Sequence, residues 1–284
     1  MRLGAHISSA GGMAKAAERA HALGAQTLQV FTASPRTWRA APVRPADAAA
    51  WQQLRARYRL GPLVVHAGYL INVAGSQPDL RARSLAALRG ELERARALAA
   101  DFLVLHPGSG PLDACVAGIR EAAHDFAWGS LTLLIENTAG GGGHLGGPFA
   151  SVAAILDGLS GLPVGACIDT CHAWAQGYDL VSPAGYAATL RELNATVGLR
   201  RVPVFHANDA KSSRGSHLDR HEHIGDGQLG TACFRRLLTD RRLRAKSFIL
   251  ETPVDAPDDQ ARDLAALRRL SAPTSRRPRQ SVQQ

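Results

Sequence analysis

The sequence predicts a single-domain α/β protein folded as a closed (β/α)₈ TIM barrel. Two observations predict it. A β-branched or apolar run followed by an amphipathic helical stretch recurs eight times along the 284 residues. Strict βα alternation at this number is typical of a closed parallel barrel, and barrels of this length commonly form one domain. A doubly wound open sheet is the competing architecture.

The strands are predicted from runs of β-branched and large apolar residues bounded by residues that break regular structure. In chain order they cover 3–8, 27–33, 63–68, 102–108, 132–138, 164–170, 202–208 and 247–253. The helices are predicted from apolar residues at helical spacing between those strands. They cover 11–23, 45–60, 79–99, 112–126, 149–159, 182–197, 230–240 and 256–270. Residues 1–271 are therefore assigned to the barrel, and the polar segment 272–284 to a disordered basic tail.

The composition predicts an ordinary globular protein without a membrane segment. Hydrophobic residues make up 45% of the chain and charged residues 20%, and no apolar run approaches the roughly 20 residues that cross a bilayer. The N-terminal stretch "MRLGAHISSAGGMAKA" lacks the apolar core of a secretory signal. The four cysteines form no C-x-x-C pair, so buried reduced thiols are expected. We expect a cytoplasmic monomer.

The charge balance favours a polyanionic partner. The formal net charge is +9, and Arg276, Arg277 and Arg279 in the tail account for only three of these charges. A basic folded body attracts polyanions, nucleic acid above all. Nearly all the basic residues are arginine, so coding bias is the alternative explanation.

Six of the predicted strands end on a residue that can bind a metal ion. In order, on the third to the eighth strand, they are His66, His106, Glu136, Asp169, His206 and Glu251. Side chains at the carboxyl ends of barrel strands converge on one mouth. Six unpaired buried polar groups would cost on the order of 1–3 kcal/mol each, whereas shared cations satisfy them together. The alternative is that each is a separately hydrogen-bonded strand residue.

Three further candidates lie near that mouth. His172 follows Asp169 by three residues, and Asp219 and His221 form an i, i+2 pair whose side chains share one side of an extended loop. Together they predict a three-ligand site with an open position, the arrangement of catalytic zinc. Imidazole with carboxylate suits Zn²⁺ better than Mg²⁺, and Mn²⁺ or Fe²⁺ could substitute. A central carboxylate such as Glu136 could bridge two ions about 3.5–4 Å apart.

At these residues the chain resembles a known family. The segments are "GAHISSAGG" at 4, "FTASPRTWRAAP" at 31, "HAGYLIN" at 66, "LHPGS" at 105, "IENTAG" at 135, "IDTCHAW" at 168, "HANDAKSSRGSHLDRHEHIGDG" at 206 and "LETP" at 250. Together they resemble the endonuclease IV family of apurinic/apyrimidinic endonucleases, from about residue 3 to residue 270.

The resemblance implies a zinc enzyme that cuts double-stranded DNA on the 5′ side of an abasic site. The products carry a 3′-hydroxyl and a 5′-deoxyribose phosphate, and blocked 3′ ends are trimmed as well. It implies three zinc ions per chain, held by the sets His66, His106 and Glu136; Glu136, Asp169, His206 and Glu251; and His172, Asp219 and His221. Glu136 would bridge two ions, and Glu251 would orient or deprotonate the attacking water.

By the same resemblance, Arg36, Tyr69 and Leu70 would contact the DNA and fill the gap left by a flipped abasic nucleotide. The alternative is that Tyr69 and Leu70 merely cap the barrel mouth. The glycines at 140–143 depart from the family pattern and put some DNA contacts in doubt. His6, His217 and His223 are expected to support the site from behind or to lie on the surface.

Two other functions remain open at this point. A sugar isomerase of the xylose isomerase type uses the same barrel with two divalent ions, and fold analogy alone does not exclude it. The third ligand set and the basic charge favour the nuclease. A noncatalytic DNA-binding protein with structural zinc is disfavoured by the open ligand sets and by the lack of a closed cysteine site.

Overall fold

The barrel predicted from the sequence is present. In the computed structural model, which describes residues 1–272, eight parallel strands close in the order β1-β10-β7-β6-β5-β4-β3-β2. The barrel strands are β1 Arg2–His6, β2 Thr27–Val30, β3 Leu63–His66, β4 Phe102–Leu105, β5 Thr132–Glu136, β6 Val164–Asp169, β7 Val204–His206 and β10 Ser247–Leu250. The basic tail predicted for 272–284 lies outside the described residues except for its first residue.

Helices pack around the outside of the strands. They are α1 Met13–Ala22, α2 Pro45–Tyr58, α3 Pro78–Ala97, α4 Leu112–Ala122, α5 Phe149–Gly158, α6 Thr170–Gln176, α7 Pro183–Thr196, α8 Gly230–Thr239 and α9 Asp259–Ser271. Proline at the first position starts α2, α3 and α7, where its missing N–H costs no hydrogen bond. Within residues 1–272, no helix is long and apolar enough to cross a membrane.

The strands separate two apolar regions. Alternate residues of each strand face the helices and join the main core, as Leu63 and Val65 of β3 do. The residues between them face the barrel axis and form a second cluster, which we call the interior layer. It consists of Val64, Val104, Leu134, Cys167, Val204 and Ile249, all fully buried. All four cysteines are buried and free, as expected.

Two elements near the mouth were not predicted. Helix α6 follows β6 directly, and a short antiparallel hairpin, β8 Asp209–Ala210 with β9 His221–Glu222, lies in the long segment after β7. All eight predicted strands also run one to three residues past the observed carboxyl ends. There the chain leaves the sheet and turns into the loops of the mouth, so residues with strand-like composition form no ladder.

Candidate metal centre

A ring of polar side chains lies at the carboxyl end of the barrel, directly above the interior layer. Because side chains alternate along a strand, the residue two positions after an interior residue also points toward the axis. Every member of the interior layer is followed in this way by a histidine, aspartate or glutamate. The pairs are Val64 and His66, Val104 and His106, Leu134 and Glu136, Cys167 and Asp169, Val204 and His206, and Ile249 and Glu251. The six residues predicted from the strand ends therefore converge.

The first predicted ligand set is compact. His66 Nε2 lies 3.3 Å and His106 Nε2 2.9 Å from Glu136 Oε2, and the donor atoms of the three residues all lie within 4.8 Å of one another. His66 Nδ1 donates to the Ala67 carbonyl at 2.8 Å. The proton therefore sits on Nδ1, which leaves the Nε2 lone pair facing Glu136.

The second predicted set shares Glu136 with the first. His206 Nδ1 lies 2.9 Å from Glu136 Oε1, 3.1 Å from Glu251 Oε2 and 3.9 Å from Asp169 Oδ2. The donor atoms of all four residues fall within 4.8 Å of one another. Glu136 thus turns one carboxylate oxygen toward each set, the geometry that a bridging ligand needs.

Helix α6 brings His172 to the third predicted set. The Asp169 carboxylate caps this helix by accepting a hydrogen bond from the His172 backbone N–H at 2.8 Å. The His172 ring then lies one turn into the helix, where Nδ1 donates to the Asn137 carbonyl at 2.9 Å. Its Nε2 lies 3.1 Å from Asp219 Oδ2.

The hairpin supplies the other two members of this set. His221 Nδ1 donates to the Glu251 carbonyl at 3.1 Å, and His221 Nε2 lies 3.1 Å from Asp219 Oδ1. The base of the loop is closed by Asp209, a fully buried carboxylate that accepts hydrogen bonds from the backbone N–H groups of Gly225 and Leu229. These bonds hold the two ends of the loop together.

The third set has two neighbours that the sequence did not assign to it. Asp169 Oδ2 lies 3.7 Å from His221 Nε2, and Asp169, His172 and His221 group within 4.8 Å. Cys171 groups with Asp219 and His221. Burial raises the pKa of the Cys171 thiol to about 12, and the thiol contacts the Arg220 carbonyl at 3.6 Å. A thiol that stays protonated is a poor metal ligand.

The residues at the mouth fit a divalent transition-metal ion. His221 Nε2 is buried and has no hydrogen-bond partner of acceptable geometry among residues 1–272, although Asp219 Oδ1 is near it. Leaving such a nitrogen unsatisfied costs on the order of 1–3 kcal/mol, and a bound cation would satisfy it. Mixed imidazole and carboxylate donors suit zinc, manganese or iron.

The electrostatics of the ring also favour a cation. Burial alone would raise the pKa of the Glu136 carboxyl, but His206 and His106 hold it well below its ordinary value. Burial alone would lower the pKa of the His221 imidazole, but Asp169 and Asp219 raise it to about 9. The anionic surroundings that favour a protonated imidazole equally favour a metal ion bound to the neutral ring.

Sequence reasoning missed three fully buried amides that hold the ring. Asn208 Nδ2 donates to Asp169 Oδ2 at 2.6 Å, and its Oδ1 accepts from the Glu251 N–H at 2.7 Å. Asn137 Oδ1 accepts from the Asp169 N–H at 2.7 Å. Both asparagines stand within two residues of a predicted ligand, which is a usable signal. The third amide, Gln29, lies inside the strand "TLQV" and gives no comparable signal.

The predicted DNA-contacting side chains lie together at the rim. Arg36 follows β2, and Tyr69 and Leu70 follow β3; all three are exposed, Tyr69 by 60% and Leu70 by 37%. The Tyr69 N–H donates to the Pro35 carbonyl at 3.0 Å and ties the two loops to each other. The tyrosine ring meets Phe31 edge-on, with centroids 5.3 Å apart. Two large apolar surfaces therefore project from the mouth beside an arginine.

The remaining singled-out residues take supporting positions. The glycines at 140–143 all have positive φ, a backbone conformation that other residues adopt only with strain, so this loop favours glycine. His217 Nδ1 donates to a backbone carbonyl, and His223 pairs with a buried aspartate of α9 at 2.8 Å. Within residues 1–272, neither joins a group of donor atoms that could hold a metal ion.

Comparison with known proteins identifies the family. The family described as xylose isomerase-like TIM barrel matches residues 17–270. A probable endonuclease 4 of Solibacter usitatus is 48% identical over 281 residues, which cover 95% of this chain and 97% of that protein. A probable endonuclease 4 of Thermoplasma acidophilum is 41% identical over 88% of both chains.

The solved structures agree with this assignment. The crystal structure of endonuclease IV from Thermus thermophilus superposes with a TM-score of 0.88 at 39% identity, over 95% of this chain and 98% of that one. A D-tagatose 3-epimerase-like protein superposes with a TM-score of 0.70 at 20% identity, which shows the barrel fold alone. The chain belongs to the endonuclease IV family of apurinic/apyrimidinic endonucleases.

Proposed function

We propose that this protein hydrolyses the phosphodiester bond on the 5′ side of an abasic site in double-stranded DNA and also trims blocked 3′ ends. The products carry a 3′-hydroxyl and a 5′-deoxyribose phosphate. The observation that carries the proposal is the ring at the mouth, where one carboxylate, Glu136, faces two donor groups. Similarity to proteins named endonuclease 4, at up to 48% identity, favours the nuclease over the sugar isomerase.

Three zinc ions per chain are part of this proposal, with manganese or iron as possible substitutes. The ligand sets are His66, His106 and Glu136; Glu136, Asp169, His206 and Glu251; and His172, Asp219 and His221. Bound zinc would supply positive charge to the reacting phosphate and lower the pKa of a bound water.

The protein residues have separate tasks in the cleavage. Glu136 would keep two ligand sets in register through its two oxygens. Glu251 is partly exposed to the mouth, with 17% of its side chain accessible. Burial alone would raise the pKa of its carboxyl, but His206 and His6 hold it below the ordinary range. Glu251 is therefore ionised at neutral pH and can accept a hydrogen bond, or a proton, from the water that attacks phosphorus as the bond to O3′ breaks.

We assign recognition of the abasic site to the exposed side chains at the rim of the barrel mouth. An abasic nucleotide offers no base to read and has no pairing partner, so turning it out of the helix costs little. Apolar side chains that enter an unstacked step can hold the bent duplex. Tyr69 and Leu70 have the exposure this requires, and Arg36 on the neighbouring loop can contact phosphate.

The test is cleavage of a labelled duplex that carries one tetrahydrofuran abasic analogue. We expect one nick on the 5′ side, a 3′ end that a polymerase extends, and no nick in an undamaged duplex of the same sequence. A chelator should abolish cleavage, and added zinc should restore it. The same preparation should leave an aldose unchanged. Aldose turnover without nicking would reverse the proposal in favour of the isomerase.

A further inference from the structure

Two strands of the barrel contribute ring positions that belong to no predicted ligand set. The ring position of β1 is His6, and that of β2 is Gln29, which pairs with it in the sheet register. With these two residues, all eight barrel strands place a polar side chain in the ring. Gln29 is fully buried, so its amide must find its hydrogen-bond partners within the protein.

Both polar atoms of the Gln29 amide have hydrogen-bond partners. Its Oε1 accepts from His206 Nε2 at 2.8 Å. Its Nε2 donates to Glu251 Oε1 at 2.5 Å and contacts His6 Nδ1 at 3.0 Å. A reversed amide would set its carbonyl oxygen against the Glu251 carboxylate, so only one orientation satisfies the three neighbours.

This contact fixes which nitrogen of His206 carries the proton. A carbonyl oxygen only accepts, so His206 Nε2 must donate to Gln29. In the neutral ring this leaves a lone pair on Nδ1, the atom that faces Glu136 and Glu251 at 2.9 and 3.1 Å. A histidine binds a metal ion through the nitrogen that has no proton.

His206 differs from three other imidazoles at the mouth in the nature of this partner. The second nitrogens of His66, His172 and His221 donate to backbone carbonyls, which no substitution removes. The second nitrogen of His206, Nε2, donates instead to a side chain, that of Gln29. The tautomer of His206 therefore depends on the identity of residue 29.

We propose that Gln29 is a positioning residue for the second ligand set, where it holds His206 with Nδ1 as the binding nitrogen and keeps the Glu251 carboxylate beside it. The inference rests on the metal centre of the proposed function. Removing such a supporting contact commonly costs 10–100-fold in metal affinity. The effect should be confined to the second set.

The first test is zinc affinity of the full-length protein, measured by competition with a chelator. Gln29→Leu keeps most of the side-chain volume and removes all three contacts, and should weaken one zinc site by about 10–100-fold while the others keep their affinity. Gln26→Leu is the matched control, because the Gln26 side chain accepts a hydrogen bond from the Leu3 N–H at the opposite end of the barrel. Its zinc affinities should equal those of the wild type.

The second test reads the tautomer directly from the ¹⁵N chemical shifts of His206 in zinc-loaded protein. The wild type should show a proton on Nε2 and none on Nδ1. Gln29→Glu keeps an acceptor for His206 but not a donor for Glu251, so the His206 tautomer should be retained while zinc affinity still falls. This variant separates the two contacts.

Wild-type zinc affinity in Gln29→Leu, or a His206 Nδ1 that carries the proton in the zinc-loaded wild type, would overturn the inference. If Gln29→Leu does not fold, the wild-type spectrum and the zinc affinity of Gln29→Glu still test the role proposed for Gln29. None of these measurements uses DNA. Failure to cut abasic DNA would therefore count against the proposed function alone, whereas unchanged zinc binding in a variant that still cuts would count against Gln29 alone.

Discussion

Two layers of the barrel, separated by two residues along each strand, have opposite character. The interior layer is fully buried and apolar, whereas the ring above it carries histidine, aspartate, glutamate and glutamine. The same backbone geometry presents both, because residues i and i+2 of a strand point the same way. The difference shows that stability and chemistry are divided by height along the barrel axis, with the interior layer as the floor of the site.

The largest effect that this division predicts is the loss of activity in Glu136→Gln. The amide keeps the size of the side chain but removes the charge that two ligand sets share. Cleavage of abasic DNA should fall by at least about 10³-fold, more than the loss of one transition-state hydrogen-bond donor usually costs. Circular dichroism should show a folded barrel. Glu121→Gln, on the outer helix α4, is the control and should cleave normally. Normal turnover in Glu136→Gln would contradict the role of Glu136 as a ligand shared by two sets.

A substitution in the interior layer should have the opposite effect, with stability lost and activity kept. Leu134→Ala, two residues before Glu136 on the same strand, leaves a cavity in the interior layer. It should lower the free energy of unfolding by about 2–5 kcal/mol in urea titrations. The fraction that remains folded should bind zinc and cleave DNA like the wild type. A variant as stable as the wild type would show that the interior layer contributes little to stability, and a folded but inactive variant would show that the two layers are not separable.

The rim lies outside both layers and should affect neither stability nor metal content. Tyr69→Ala should weaken binding to abasic duplex by about 1–3 kcal/mol, the scale of a lost stacking contact with an aromatic ring. Leu70→Ala should weaken it as well through lost apolar contact. The unfolding free energy should change by no more than about 0.5 kcal/mol in either variant. Fluorescence anisotropy measures the binding. Leu80→Ala, an exposed leucine on α3, is the control. Unchanged affinity would mean that the two side chains only cap the mouth.

The remaining prediction concerns the pH dependence of zinc binding. The pKa of His221 is raised to about 9 in the protein, and zinc must displace that proton. Zinc affinity should therefore rise with pH until about pH 9. Below that pH, it should fall about tenfold per pH unit for each proton that zinc displaces. Calorimetry in buffers of different ionisation enthalpy should detect the released protons at pH 7. An affinity that does not change between pH 6 and pH 8 would contradict the assignment of His221.

Much of the site could be predicted because it follows from strand periodicity. His66, Glu136, Asp169 and His206 are the last residues of their strands, and His106 and Glu251 come directly after theirs. The convergence of parallel strand ends then brings them together whatever their distance in sequence. The confirmed barrel and the compact donor groups both derive from this one regularity.

The features that were missed depend on contacts between distant segments. Gln29 meets His206 across 177 residues, and a glutamine inside an apolar strand gives no indication of which side chains it will meet. The hairpin of β8 and β9 pairs residues on either side of a polar loop with no strand pattern. Helix α6 is a different case, since Asp169 three residues before His172 is a capping pattern that could have predicted it.

The central claim is that the ring holds a cluster of metal ions, and anomalous diffraction at the zinc edge from crystals grown with zinc tests it most directly. We predict three peaks at the carboxyl end of the barrel, two of them on either side of the Glu136 carboxylate and the third between His172, Asp219 and His221. An absence of peaks within the ring, or zinc bound only elsewhere on the surface, would contradict the claim.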